Sequence, residues 1–354
     1  MKPLQNCYMK ANGNKFDLKP EDFGPLDRYI QDDNVTDINY NGTDVWIDDL
    51  TRGRYKSELN LTPEFVNRFS TKIADRVSAQ FNQYNPLLEA ETETLRVSIV
   101  HESVLNTGRS ISIRKTPVVK RLAPKMMVNS GYCTQELLNL LIRCVEGKMN
   151  MMMCGLPGTG KTELLKFLTG YIPDNERAIT IEDNLEIHYS EINPGKDCVE
   201  MKVDNSSDRF NYVVAIKACL RQLPQWILLS EARSTEVKYL IESMSTGTHC
   251  LTTIHTDDVR KVPDRVKNMV QDGSSADRVV NDVYMFLDAA ILIKKAFRDG
   301  RITRYVDQFC FFSREDGENV TQLIADDGKI ISHEVPPQVM RKFEASGIVD
   351  PFSR

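Results

Sequence analysis

Met149-Asn-Met-Met-Met-Cys154 runs into Gly155-Leu156-Pro157-Gly158-Thr159-Gly160-Lys161-Thr162, and this into Glu163-Leu-Leu-Lys-Phe-Leu168. The middle segment matches the pattern G-x-x-x-x-G-K-[ST] in full, and its flanks read as a short apolar strand and the start of a helix. Glycines let consecutive backbone N–H groups turn inward around a phosphate. The helix that follows from Glu163 adds the positive end of its dipole, and Glu163 is counted with the loop as nucleotide-binding. Lys161 supplies a charge for the β- and γ-phosphates, and Thr162 supplies a hydroxyl for Mg²⁺. A chance glycine-rich turn would carry neither the lysine nor the flanks, so the stretch predicts a nucleoside triphosphate site.

Downstream, short apolar runs at Ala178–Ile181, Trp226–Leu229 and Leu251–Ile254 are separated mostly by helical patterns. That alternation predicts a parallel sheet with right-handed crossovers. Residues 286–296 and 302–311 read as additional core elements. Upstream, a helix is predicted from Thr134 to about Glu146, ended by Gly147, and the segment Pro117–Pro124, with Lys120 and Arg121 between its prolines, reads as a linker. The residues before it predict a compact α+β domain. Two strand-like runs around Asn41-Gly42 mark a hairpin. Thr62-Pro63 opens a helix whose Phe65, Phe69, Ile73 and Val77 form one stripe. Residues 95–99 and 110–114 are further strands. The domains are therefore expected at 1–116 and 125–354, joined by 117–124.

Composition sets bounds. The 354 residues are 41% hydrophobic and 27% charged, with a formal net charge of −5, as in an ordinary soluble protein. Nothing global marks a nucleic-acid binder. No apolar run approaches the roughly 18–20 residues of a membrane span, and the opening Met-Lys-Pro-Leu-Gln-Asn-Cys lacks a signal-peptide core. The eight cysteines are scattered with no Cys-x-x-Cys pair, which argues against a cysteine-rich zinc site and for reduced thiols. The expectation is a cytoplasmic protein that reaches a membrane through a partner. Asn14-Lys-Phe-Asp17 matches the guanine-reading N-K-x-D pattern, but it precedes the glycine segment and is expected to be loop. Adenine is then the better expectation.

In open parallel sheets, ligands sit at the carboxyl ends of the strands. Those ends here carry Glu182-Asp183, then Ser230-Glu231-Ala-Arg233, then His255-Thr-Asp-Asp258. Hydrolysis needs these residue types: a carboxylate to activate water, another to organise a Mg²⁺ shell, and a group that senses the terminal phosphate. Each alone has a plainer explanation as a solvated strand end, a surface ion pair or a core histidine. Together, after a glycine loop, they point to an ATPase.

At these residues the chain resembles the ATPases of type II and type IV secretion systems, pili and conjugation machines, over roughly residues 22–325. Thr180-Ile-Glu-Asp-Asn-Leu-Glu186 resembles the family's acidic box, Trp226 to Arg233 its atypical Walker B segment, and Ser245-Thr-Gly247 through Thr256 its histidine box. Val35-Thr-Asp-Ile-Asn-Tyr-Asn-Gly42 and Ser110-Ile-Ser-Ile-Arg-Lys115 are similar to two segments of its N-terminal domain. Tight-adherence (Flp) pilus assembly and type IV secretion ATPases look closest. The resemblance implies an α/β fold: a RecA-like P-loop NTPase domain with a parallel sheet, preceded by a smaller α+β domain. It implies ATP and Mg as cofactors. Glu182 would act on water, Glu231 would lie near the Mg²⁺ with Thr162, His255 would report the terminal phosphate, and Arg96 and Arg114 would approach the nucleotide from the first domain. It also implies a homo-hexamer working with an inner-membrane platform or channel protein, peripheral to the cytoplasmic membrane. Ser230 and Ser234 stand where the family usually has glycine and aspartate, and Thr248 separates Thr246-Gly247 from His249.

The function expected is ATP hydrolysis by a ring motor that drives pilus assembly, protein secretion or conjugative transfer, with no direct nucleic-acid contact. The alternatives are a nucleic-acid translocating motor, which needs a basic groove, and a non-catalytic scaffold gated by nucleotide.

Overall fold

The computed structural model describes residues 7–11, 14–204, 209–270 and 276–354. It divides into two compact units: residues through Pro117 with Phe297–Thr303, and Val118–Ala296 with Arg304–Arg354.

In the first unit, β1 (Cys7–Ala11) and β2 (Asn14–Leu18) pair antiparallel. The Asn14–Asp17 stretch expected to be loop is thus part of a strand. No apolar run marks it, because the segment is held by backbone pairing with a strand two residues away, which leaves no hydropathy signature. The strands β3 (Val35–Tyr40), β4 (Val45–Asp49), β5 (Gly53–Lys56), β6 (Leu87–Glu91), β7 (Leu95–Val100) and β8 (Ser110–Lys115) form an antiparallel sheet in the order β5-β4-β3-β8-β7-β6. Burial alternates along β7, as it must when one face of a sheet is covered. The cover is the helix Pro63–Arg76, whose Phe65, Phe69 and Ile73 pack with Ile38, Ile47, Val97 and Ile113. Between β3 and β4, Asn41 Oδ1 accepts from Thr43 N at 3.0 Å and Asp44 N at 2.8 Å, and Gly42 takes φ +101°, so the hairpin closes through a side-chain-braced loop. Thr62 Oγ1 caps the helix by accepting from Phe65 N at 3.2 Å. Thr62→Ala is expected to cost about 1 kcal/mol, read from the denaturant midpoint of the first unit's transition.

Apart from Phe297–Thr303, which belong to the first unit, the second unit holds β9 (Met151–Cys154), β10 (Ala178–Glu182), β11 (Cys198–Lys202), β12 (Trp226–Leu229), β13 (His249–Ile254), β14 (Ala289–Arg298), β15 (Arg301–Glu315), β16 (Glu318–Asp326) and β17 (Lys329–Ile330). Their order is β11-β10-β12-β13-β9-β14-β15-β16-β17, and the strands from β11 to β14 run parallel. β9 is buried on both faces: Met151 and Met153 join one core with Leu137, Leu141, Leu164 and Phe343, while Met152 and Cys154 join the other with Ile216, Leu240 and Val266. This explains why an apolar run of four with no polar alternation is a strand. Asn150, the polar residue that interrupts the run, ties three strands at their amino ends. Its Oδ1 accepts from Cys250 N (2.8 Å), its Nδ2 donates to Phe286 O (2.7 Å), and its N–H donates to Asp288 Oδ2 (2.8 Å).

Residues 118–123 lie with this unit: Leu122 packs on its core and Lys120 Nζ donates to Asn193 Oδ1 at 2.7 Å. β11 and β16 have no clear signature in the sequence. Val199 and Glu200 are only half-buried or exposed on the edge strand β11, and β16 has polar residues over its first half, so neither shows an apolar run. Seven cysteines, at 133, 144, 154, 198, 219, 250 and 310, are free. Among the described residues no helix is long and apolar enough to cross a membrane.

Candidate active site

The glycine loop leaves the carboxyl end of β9, between β13 and β14, and enters the helix Lys161–Thr169 with Gly160 as its N-cap. The turn needs its glycines. At Gly155, φ is +151° and a Cβ would stand 2.5 Å from Thr159 Oγ1 and 2.7 Å from Ile293 O. At Gly160, φ is +93°, a left-handed value that lets the chain turn directly into the helix. Leu156, Pro157 and Gly158 form an exposed crest, while Thr159 is buried and its Oγ1 donates to Leu156 O at 2.9 Å.

Lys161 lies beneath the crest, 8% exposed, donating to Gly155 O at 3.0 Å and Leu156 O at 3.3 Å. Its Nζ is also 3.3 Å from His255 Nδ1. His255 follows β13, and its Nε2 lies 2.8 Å from Glu231 Oε1 on the segment after β12. Glu231 Oε2 accepts from Arg233 Nε at 2.9 Å, and Arg233 Nη1 donates to Asp183 Oδ2 at 2.6 Å after β10. A continuous polar chain therefore crosses the carboxyl edge of four neighbouring strands, Lys161–His255–Glu231–Arg233–Asp183.

Its protonation follows from its order. Burial and the Lys161 ammonium push the His255 pKa down against the pull of Glu231. The ring's Nε2 faces Glu231, while its Nδ1 lies between Lys161 Nζ at 3.3 Å and the Gly155 carbonyl at 3.1 Å. Burial also lowers Lys161, and Glu231 works against that. For Arg233 burial opposes the charge, but Asp183 and Glu231 outweigh it and hold the guanidinium protonated.

Glu182 is the last residue of β10 and is fully buried. Its Oε1 accepts from Glu186 N and Ile187 N, both at 3.1 Å, and its Oε2 has no partner among the described residues. Burial pushes its pKa up to about 8 in spite of the two N–H donors. Thr162 Oγ1 donates to Glu186 Oε2 at 3.3 Å. Glu186 closes the acidic stretch that begins at Glu182, yet sequence reasoning assigns it no role. It stands four residues after Glu182, past a turn, and only the fold brings it to Thr162. Glu163 faces Arg121 at 4.0 Å and Lys166 at 3.9 Å, with Oε2 unpartnered among the described residues.

Arg96 and Arg114 are in the first unit, directly paired in register on β7 and β8; Arg114 Nε donates to Asp37 Oδ1 at 2.7 Å and Arg96 lies 3.8 Å from Glu89. Among the described residues no group of three or more His, Cys, Asp and Glu forms a metal cage.

A family profile, type II/IV secretion system protein, matches residues 66–328, well over half of the sequence. The chain belongs to this family. Among curated proteins, an uncharacterized protein of Bacillus anthracis is 28% identical over 281 residues, 77% of this chain and 62% of the relative. Protein VirB11 of Agrobacterium fabrum is 34% identical over 160 residues, 43% of this chain and 45% of the relative. The chain thus spans from under half to about three fifths of the length of these two relatives. Among solved structures, the Legionella pneumophila ATPase DotB has TM-score 0.56 at 18% identity, covering 78% of this chain and 77% of its own. The pilus retraction motor PilT with bound ADP has TM-score 0.57 at 16% identity, covering 88% and 82%. At these identities the likeness is one of fold.

The departures from the family pattern now have structural counterparts. Ser230 is buried, its Oγ 3.3 Å from Tyr212 OH and its carbonyl accepting from Thr253 Oγ1 at 2.7 Å. The hydroxyl thus ties the end of β12 to the helix Tyr212–Cys219, while the bond to β13 uses the backbone carbonyl. Ser234 N, like Arg233 N, donates to Glu236 Oε1 (2.7 and 2.6 Å), which fixes the turn carrying Arg233. His249 begins β13, at the opposite end of that strand from His255, with its ring 5.1 Å from Trp226. Burial lowers its pKa to about 4. It is a neutral packing residue of the sheet's amino edge.

Proposed function

We propose that the protein is a Mg²⁺-dependent ATPase that works as a homo-hexameric ring and drives a pilus, secretion or conjugation machine through an inner-membrane platform or channel protein, peripheral to the cytoplasmic membrane. The observation that carries the proposal is the polar chain that joins Lys161 of the glycine loop to His255 and Glu231 at the carboxyl ends of parallel strands. A RecA-like P-loop domain accounts for this arrangement chemically: the loop amides and the helix start hold phosphates, and the side chains around them handle charge and proton.

The residues fit the ligands. The loop keeps the tight glycine turn that the pattern requires, since a Cβ at Gly155 would collide with Thr159 and the Ile293 carbonyl, and Glu182 offers a buried oxygen with no partner among the described residues. A Mg²⁺ ion would polarise the phosphates and is held mainly by phosphate oxygens and water, so it requires only one or two protein oxygens. Thr162 would supply one, with Glu186 beside it and Glu231 as the further candidate. Lys161 would exchange its carbonyl acceptors for phosphate oxygens. That transfer removes the cation from His255 Nδ1 and so couples phosphate binding to the His255–Glu231 pair. Glu182 Oε2 would accept the proton of an attacking water, while the Glu186 and Ile187 amides hold the other carboxylate oxygen still.

Steady-state ATP hydrolysis by the purified protein with Mg²⁺, beside its native mass with and without ATP, tests the proposal. Phosphate release and a six-subunit species support it. ATP binding without release, in the presence of the membrane partner, would replace it with the nucleotide-gated scaffold. Stimulation by DNA that falls steeply with salt would replace it with a nucleic-acid motor.

A further inference from the structure

The polar chain described above approaches the glycine loop from the β13 side. A second cationic group approaches from the other. β14 pairs in parallel with β9, Leu292 opposite Cys154, so the residues just beyond Leu292 run alongside the loop. Two lysines stand there, and they are not equivalent. Lys294 Nζ is bound to the buried Asp307 at 2.7 Å. Lys295 is exposed, pairs with no carboxylate among the described residues, and brings its Nζ within 3.6 Å of where a Cβ on Gly158 would stand. Arg304 on β15 donates from Nε to Gly158 O at 3.2 Å, and its Cδ lies 3.5 Å from the Cβ position of Gly160. Burial, with Arg121 nearby, works against the charge of Arg304, although Tyr132 and Glu163 favour it. This side of the loop therefore gathers Lys295, Arg304 and Arg121, with Glu163 as the carboxylate that faces Arg121.

We propose that Lys295 is a second phosphate-contacting residue of the site, holding the nucleotide from the β14 side as Lys161 holds it from the β13 side, with Arg304 as a positioning residue that fixes the Gly158 carbonyl. The inference rests on the nucleotide reading of the loop and adds a residue that the glycine-loop pattern does not contain. A lysine suits this position. Its compact charge, with three donors on a flexible stem, satisfies phosphate oxygens without a fixed fork geometry. The loop amides beside it are the groups that select phosphate over base or ribose at that point.

The test is the affinity for ATP with Mg²⁺, measured by calorimetry, for the wild type and for Lys295→Ala, Lys295→Arg and Lys295→Glu. Lys295→Ala is expected to weaken binding about tenfold, the effect of one charge-assisted hydrogen bond. Lys295→Glu weakens it further, Lys295→Arg restores most of it, and the salt dependence of binding is shallower in the alanine variant than in the wild type. Melting temperatures stay together, because the side chain is exposed. Unchanged affinity in both the alanine and glutamate variants overturns the inference. So does an equal loss in Lys295→Arg, which keeps the charge. Failure of the underlying reading shows separately, as a wild type that binds no ATP before any substitution is made.

Discussion

Lys161→Ala is expected to leave the protein folded and to lower ATP turnover by at least about a hundredfold, the usual consequence of removing one preorganised charge from a developing negative centre. A secondary effect follows from its contacts. Lys161 is donor to two loop carbonyls and lies 3.3 Å from His255 Nδ1, and its charge helps keep the His255 pKa low. Without it, Glu231 at 2.8 Å is the dominant neighbour of the ring, and the His255 pKa rises. NMR titration of His255 in the two proteins separates this from general damage. Turnover is lost in the variant while the imidazole titrates at higher pH than in the wild type. A variant that retains wild-type turnover would remove Lys161 from the chemistry. A His255 titration unmoved by the substitution would show that the Lys161–His255 contact carries no coupling.

The parts of this site that are legible in the sequence are those fixed by backbone geometry. Three glycines at set spacing before a lysine and a threonine require a particular loop, and short apolar runs that end in charged residues require those residues at one edge of a parallel sheet. What the sequence hides depends on neighbours distant along the chain. Glu186 meets Thr162 because β10 and the loop share a sheet edge. Lys295 meets Gly158 because β14 flanks β9, a strand order that no local pattern states. His249 and His255 are six residues apart, and only the strand direction shows that one faces the glycine loop and the other the far edge. The same limit applies to the elements. β9 is readable because both its faces are buried. β2 and β11 are defined by backbone pairing and carry no apolar run.

Glu182→Gln gives the second large effect. The substitution preserves shape: the amide oxygen can keep accepting from Glu186 N and Ile187 N, and the site of the unpartnered Oε2 receives an amide in place of a carboxyl. Turnover is expected to fall by about a hundredfold to ten-thousandfold, the range for removing a general base, while ATP binds and stays. The pH dependence makes the assignment specific. A base must be ionised, and burial pushes the Glu182 pKa up to about 8. Wild-type turnover should therefore climb as pH rises toward 8 and then level, while the residual rate of the variant stays flat. Stability has the opposite sign. The folded pKa lies above the usual 4.5, so between those values the folded protein holds a proton that the unfolded chain has released. The stabilisation is complete below the unfolded pKa and is lost as pH rises through the folded one. Melting temperatures at pH 5 and pH 8 should thus differ less in Glu182→Gln than in the wild type. Opposite pH trends in rate and stability, both removed by one isosteric change, identify a single buried carboxyl as their source. A variant that hydrolyses ATP normally but loses the stability trend would show Glu182 to be a buried structural acid, and the water-activating carboxylate would then have to be another, with Glu186 next to Thr162 as the nearest candidate.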